Sequence, residues 1–356
     1  MNNAHRMLLA TLASFSNNAL ATVDMERLTY YQEWTMLNNY WGQLVETYYG
    51  SSSQDGIFGR SWCQGIHLPR AGEPESFKHV SLDQIVNVQD GKLWLTQCGM
   101  QDRNGFMELY EPDEATLASI GDRPLEQALK DAAGTGQRLL FRNTFPKRHA
   151  QVLAWQSGKW RWEDGDHDAP VVVFNDQGVM EKVDNIDMQR DDQGRLMALR
   201  QRDTAVVTFR YGDAGRVVEF NTPEGYGGDI YYNEKGWQTS HQNGWNRTYR
   251  FNYNNVGSLT GAIWPDGTRI TIFYDPKTAR ITSFIDRLGA MENYTVVQGA
   301  PDQRKVMLKR TLNGKKEYDM TFSYQYNALG LPVSEKVRKR DENGEWIDSE
   351  NSLMEK

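Results

Sequence analysis

The stretch FRYGDAGRVVEF, residues 209–220, decides the fold. Phe209 and Tyr211 flank the polar Arg210, a Gly-containing turn follows, and the apolar run Val217 to Phe220 leads back. Alone it is one β-hairpin. Aligned on its tyrosine, however, Tyr211-Gly-Asp-Ala-Gly-Arg is followed by Tyr232-Asn-Glu-Lys-Gly-Trp, Tyr253-Asn-Asn-Val-Gly-Ser and Tyr274-Asp-Pro-Lys-Thr-Ala-Arg. The tyrosines recur every 21 residues, at 211, 232, 253 and 274. One period earlier, Arg190-Asp-Asp-Gln-Gly-Arg keeps the turn without the tyrosine. Phe174-Asn-Asp-Gln-Gly-Val and Tyr326-Asn-Ala-Leu-Gly-Leu are looser flanking copies.

Two residues before each tyrosine stand Phe209, Ile230, Phe251 and Ile272, with mostly polar residues between, the alternation of a strand with one buried face. The Asp-x-x-Gly turn supplies a side-chain acceptor, the role assigned to Asp213 in the first copy, and a Gly able to take positive φ. Second reversals fall at TPEG (222–225), QNGW (242–245) and PDGT (265–268), again near one period apart. One repeat is therefore one hairpin, and successive hairpins stack their apolar columns.

This pattern resembles the YD or RHS repeat of bacterial Rhs and Tc-type toxin proteins and of animal teneurins. The resemblance is strongest over 190–290, where YDPKTARITSFIDRLG is close to Tyr-Asp-x-x-Gly-Arg, an apolar residue, then Asp-Pro-Leu-Gly. Ala279 stands where that pattern has Gly, and Arg287 where it has Pro. Upstream, ETYYGSSSQDGIFGRSWCQGIHLP (46–69) resembles the opening segment of Rhs shells, with Ser61 replacing the Gly before Trp62. The two matches cover about half the chain. The family's autoproteolysis motif, Asp-Pro-x-Gly-Leu, is not matched by Asp275-Pro276-Lys277-Thr278, which reads as the turn of its repeat. With no such motif downstream, the chain does not resemble a complete Rhs effector.

Composition agrees with a β-rich chain: 12% aromatic residues, with 31 Gly and 11 Trp. A net charge of −7 argues against sequence-independent binding to nucleic acid, which needs a basic surface. Residues 1–21 read as a signal peptide, with Arg6 as basic start, Met7 to Phe15 as apolar core and Ala19-Leu20-Ala21 as cleavage site. No other stretch approaches a membrane span, so no transmembrane segment is expected after its removal. In the oxidising compartment this implies, periplasmic or extracellular, Cys63 and Cys98 are expected to pair, worth roughly 4 kcal/mol in the chain-entropy model. The sharper alternative makes Cys63 a nucleophile with His67 or His79 as base.

Residues 22–49 are expected to be an N-terminal helix leading into the first strand, because Tyr30, Trp34, Leu37, Trp41, Leu44 and Tyr48 step at three and four residues. Residues 50–173 form the Rhs-like opening β region, with a helical insertion at 111–136 where Pro112 and Pro124 mark helix starts. The repeat sheet spans 174–340, and 341–356 is a polar tail expected to fray. The expected fold is all-β: stacked antiparallel hairpins of a YD/RHS-repeat sheet, open or partly closed, with the N-terminal helix and the small helical insertion.

Signatures of chemistry are sparse. There is no Gly-x-Ser-x-Gly, no His-Glu-x-x-His and no phosphate-cradling loop, and no cofactor is expected. The histidines, at 5, 67, 79, 149, 167 and 241, are scattered, with none paired at metal-ligand spacing. The weak metal candidate is Asp164, Asp166 and Asp168, but a calcium loop needs Gly and an acid where Ala169 and Asn175 stand. A solvated acidic turn is the preferred reading. Aromatic residues Trp155, Trp160, Trp162, Tyr226, Tyr231, Trp237, Trp245 and Trp264 are expected to populate one sheet face, ordinarily as packing and otherwise as a surface for sugars or protein partners. The leading function is thus an exported, non-enzymatic scaffold binding another protein, a toxin or cell-surface component; the role of immunity or accessory factor in a toxin system is what the Rhs resemblance alone implies. The alternatives are carbohydrate or cell-wall binding through the aromatic face, and a hydrolase acting through acids that cannot be paired from sequence.

Overall fold

The computed structural model describes residues 21–25, 28–39, 42–50, 55–56, 59–70, 73–96, 107–144, 150–165, 170–326, 332–340 and 345–352. The segment read as a signal peptide, apart from Ala21, lies outside these residues, as do Trp41, Cys98, Asp166 and Asp168. The fold is almost entirely antiparallel β. A sheet of 23 strands runs from Ile85–Gln89 to Trp346–Ser352, each strand paired with its neighbours in sequence.

The repeat builds this sheet by one local rule. Phe209 faces Phe220 across its hairpin, and Ile230, Phe251 and Ile272 face His241, Ala262 and Phe284. Phe209, Ile230, Phe251 and Ile272 are all buried, as the alternation requires. A register shift precedes each tyrosine, between Arg210 and Tyr211 and at the equivalent place in the next three copies. Such a bulge breaks strict alternation and re-aims the side chain. The tyrosine hydroxyls at 211, 232, 253 and 274 donate to the carbonyls of Leu196, Val217, Gln238 and Leu259, at 2.7–2.9 Å. Each acceptor precedes its donor by 15 residues. Each tyrosine therefore staples its hairpin to the one before.

Turn chemistry is sharper than the sequence suggested. The Oδ1 atoms of Asp191, Asn233, Asn254 and Asp275 each accept two backbone N–H groups of the turn that follows, at 2.8–3.0 Å for Asp191, Asn233 and Asp275. Asn254 does so at 3.1 and 2.9 Å. The acceptor is always the first residue of the turn, and in the copy 211–216 that place belongs to Gly212. Asp213 is thus not the cap expected of it. Backbone bonds alone close its turn, from Gly212 N–H to Arg216 O and from Gly215 N–H to Gly212 O. At the opposite end of the strands, turns starting at Thr222, Asn243, Trp264 and Asp286 repeat the same backbone pattern.

The start of the sheet returns to meet it. Val86 N–H donates to Gly178 O at 2.9 Å, and Ile85 bridges Val179. The leading strands thereby curl back by one bridge, while no ladder joins Trp346–Ser352 to Ile85–Gln89 among the described residues. Gly178 permits the joint: its φ is +77°, and a Cβ there would lie 1.7 Å from Val86 O.

The expected N-terminal helix is replaced by strands. Ala21–Asp24, Thr29–Asn39, Gly42–Tyr49, Trp62–Arg70 and Glu73–Ser81 form a separate five-stranded sheet. Tyr30, Gln32, Trp34 and Met36 alternate into its buried face, and a register shift between Thr35 and Leu37 then resets the parity. On the return strand Leu44 to Tyr48 are all buried, with Glu46 and Tyr48 bonded to the repeat sheet. Spacings of four suit a strand as well as a helix, and the bulge supplies the odd step. Tyr, Trp and Thr favour the pleated conformation.

The insertion does form helices, Glu114–Ile120 and Leu125–Thr135, with Leu125, Leu129 and Ala132 buried. The first is capped by Asp113, whose Oδ1 accepts from Thr116 N–H at 2.8 Å, so Pro112 ends the preceding strand instead of starting the helix. Trp155 Nε1 donates to Leu129 O at 2.8 Å, tying the second helix to the sheet. Past 290, Lys315–Tyr326 pairs with Pro332–Arg340. The polar tail continues the sheet: Trp346–Ser352 pairs with Pro332–Arg340. No helix among the described residues is long and apolar enough to cross a membrane.

Candidate functional site

The apolar face of the repeat sheet is covered by the chain's own N-terminal sheet. Trp34 meets Phe251 edge-on at 5.2 Å between ring centres, Trp62 lies 4.7 Å from Phe251, and Tyr30 lies 5.7 Å from Phe284. Trp62 Nε1 donates to Tyr253 Oη at 3.0 Å. Backbone amides of the repeat sheet reach across as well: Leu259 N–H to Tyr48 Oη, Gly244 N–H to Met36 O, and Ile281 N–H to Leu28 O, at 2.8–2.9 Å. The aromatic residues of this face are therefore core.

Within this contact two apolar columns are interrupted. Leu196, Val217, Gln238, Leu259 and Ile281 occupy equivalent buried positions, as do Leu199, Phe220, His241, Ala262 and Phe284. Gln238 and His241 are their only polar members, and both address Glu46 of the N-terminal sheet. Gln238 Nε2 donates to both carboxylate oxygens, at 3.0 and 3.1 Å, and His241 Nδ1 pairs with Oε1. The Glu46 and His241 side chains are wholly buried. A buried polar cluster of this kind fixes one docking register, since any slip would strand its members without partners.

The eight aromatic candidates separate accordingly. Trp155, Trp160 and Trp264 are buried core, which removes them from any exposed binding face. Trp162 is half-buried and donates its Nε1 to Tyr110 Oη at 2.9 Å, and Trp237 is half-buried beside Tyr253. Tyr226, Tyr231 and Trp245 are exposed, at 56%, 55% and 48%. Tyr231 points from a strand, opposite Ser240. Tyr226 and Trp245 sit on neighbouring turns at one end of the sheet, where Leu288 is also exposed. That rim, formed by the turns at 222–226, 243–247, 264–268 and 286–290, is the candidate interaction surface. Arg287 braces it, stacking over Trp264 and donating to Asp266 at 2.7 Å, contacts that the Pro of the family pattern could not make.

A second constellation was invisible in the sequence. Glu33, His67 and His79 converge so that one ligand atom from each lies within 4.8 Å of the others. His67 Nε2 is 3.2 Å and His79 Nδ1 3.7 Å from Glu33 Oε2. His67 and His79 are direct cross-strand partners, a relation that only the register of their hairpin discloses. Burial lowers the His79 pKa, against the raising influence of Glu33 and with His67 lowering it further; solvent contact over 39% of the side chain tempers the shift.

The remaining candidates acquire no comparable setting. Asp164 is the one member of its acidic trio within the described residues. Cys63 is buried, and its expected partner Cys98 lies outside them. Asp275 caps its turn, where bonds from the Thr278 and Lys277 backbone N–H groups and the Thr278 hydroxyl lower its pKa.

No family model matches the chain, and no curated protein matches it. Among solved structures, it is similar to the crystal structure of TcdB2-TccC3 without its hypervariable C-terminal region, with a TM-score of 0.29 and 11% identity over 97% of this chain and 21% of that one. It is also similar to a Photorhabdus luminescens Tc holotoxin pore carrying a TccC3 mutation, with a TM-score of 0.26 and 10% identity over 90% of this chain and 22% of that one. The chain thus spans about a fifth of the length of these structures. Likeness at this level fixes neither family nor function.

Proposed function

We propose that the chain is an exported, non-enzymatic repeat scaffold that binds another protein through the rim of its repeat sheet. The carrying observation is the filling of the inner face by the N-terminal sheet, which leaves Tyr226, Trp245 and Leu288 as the exposed large apolar side chains of one row of turns. Exposed aromatic residues in such a setting suit the centre of a protein interface. A role as immunity or accessory factor of a toxin system rests on the repeat motif alone, and a shared fold does not transmit function.

Photo-crosslinkers placed at Tyr226 and Trp245 test this in the native cell. One dominant protein adduct is expected from both sites and none from the same probe at Lys235, on the opposite turns. Equal capture from both ends, or no adduct at all, contradicts the rim. Quenching of Trp245 fluorescence by a cell-wall or surface polysaccharide, without a protein adduct, would favour glycan binding instead.

A further inference from the structure

We propose that Glu33, His67 and His79 bind one divalent transition-metal ion, best matched by Zn2+, in a three-ligand site on the N-terminal sheet. Two imidazole nitrogens and a carboxylate oxygen are borderline ligands suited to zinc. A tetrahedral ion with ligands at about 2.0–2.1 Å sets its ligand atoms about 3.3 Å apart. The two distances to Glu33 Oε2, 3.2 and 3.7 Å, bracket that edge.

Three features of the surroundings point the same way. Gln43 Oε1 lies 3.2 Å from His67 Nδ1, which places an acceptor on that nitrogen and leaves Nε2 as the ring nitrogen turned to Glu33. Zinc-bound histidines are commonly held by such an outer hydrogen bond. Gly65 makes room: a Cβ there would lie 2.5 Å from His79 Cε1 and force the ring away. The ligands also sit on strands, Thr29–Asn39, Trp62–Arg70 and Glu73–Ser81, and among the described residues no Lys or Arg pairs with Glu33. Among the described residues three protein ligands converge, one fewer than a tetrahedral ion takes. The His67 and Glu33 side chains keep 17% and 18% exposure, enough for an ion to enter from solvent.

The test uses the full chain, stripped with a chelator and titrated with Zn2+ by calorimetry, with Co2+ absorption as a spectroscopic reading of geometry. One saturable site with tetrahedral Co2+ bands is expected, and no binding of Ca2+ there. His79→Ala and Glu33→Gln should weaken binding at least 100-fold, and Gln43→Ala by about 10- to 100-fold. Far-UV circular dichroism of each stripped variant verifies its fold. The wild-type chain supplies a reading that needs no variant: Zn2+ should protect His67 and His79 from diethyl pyrocarbonate, site by site in mass spectra. Absence of saturable Zn2+ binding, equal binding by His79→Ala, or lack of protection at both histidines would overturn the site.

Discussion

Glu46 and His241 meet side chain to side chain across the two sheets, and neither side chain is exposed to solvent. Gln238 completes the cluster with bonds to both carboxylate oxygens. Glu46→Ala leaves His241 and Gln238 buried without their acceptor, and is expected to lower unfolding free energy by about 3–5 kcal/mol. Replacing the whole cluster, as Glu46→Leu with Gln238→Leu and His241→Phe, should recover most of that loss, because the columns are otherwise apolar. Urea denaturation of the single and triple variants checks both outcomes. Additive losses would contradict a coupled cluster.

Gly178 carries the joint at which the sheet meets its own start. Gly178→Ala sets a Cβ against Val86 O and forces a left-handed conformation on a residue with a side chain, with an expected loss of about 2–4 kcal/mol. Gly194→Ala is the control: its φ is +79° but nothing lies within 4 Å of the added Cβ. It should lose only about 1 kcal/mol. Equal losses for the two, measured by thermal denaturation, would mean that the closure contributes nothing.

Ala279 occupies the left-handed position that Gly takes in neighbouring repeats, with φ of +55°. Ala279→Gly is therefore expected to stabilise the chain by roughly 0.5–1 kcal/mol, the strain relieved exceeding the entropy that Gly adds to the unfolded chain. A lowered melting temperature would show that Ala279 is held there by contacts outweighing its backbone strain.

Burial pushes the Asp83 carboxyl up to about 6, against the hydrogen bonds from the Gln64 backbone and side-chain amides, each 3.1 Å long. Its folded pKa thus exceeds the unfolded value of 3.8. The folded state holds this proton more tightly, so the contribution is complete below about pH 4 and lost as pH rises through 6. Asp83→Asn should remove that loss and stabilise the chain above pH 6 by at most about 3 kcal/mol. Urea denaturation between pH 4 and 8 should show the wild-type and variant curves diverging across this window, whereas parallel curves would exclude Asp83 as the titrating group.

The repeat was legible because its signals are local. Tyr211 to Tyr274 fix the period, and Phe209, Ile230, Phe251 and Ile272 fix the buried face. The same local reading failed at Tyr30 to Tyr48, where steps of three and four also fit a strand hairpin with one bulge and the outcome depended on docking against Phe251 and Phe284. Asp213 misled because the capping place is counted from the tyrosine and belongs to Gly212. One signal of the docking stands in the sequence: Gln238 and His241 break the apolar columns of a 21-residue repeat. Glu33, His67 and His79 could not be joined without strand register, which pairs His67 with His79.

Three amides report most directly on the covering of the repeat sheet by the N-terminal sheet: Gly244 N–H, Leu259 N–H and Ile281 N–H, each bonded across to Met36 O, Tyr48 Oη and Leu28 O. Site-resolved hydrogen–deuterium exchange should find them as slow as the ladder amides of the repeat strands, and all three accelerated together in Glu46→Ala. Exchange at the rate of exposed turn amides in the wild-type chain would show the inner face open, and would return its aromatic residues to the pool of binding candidates.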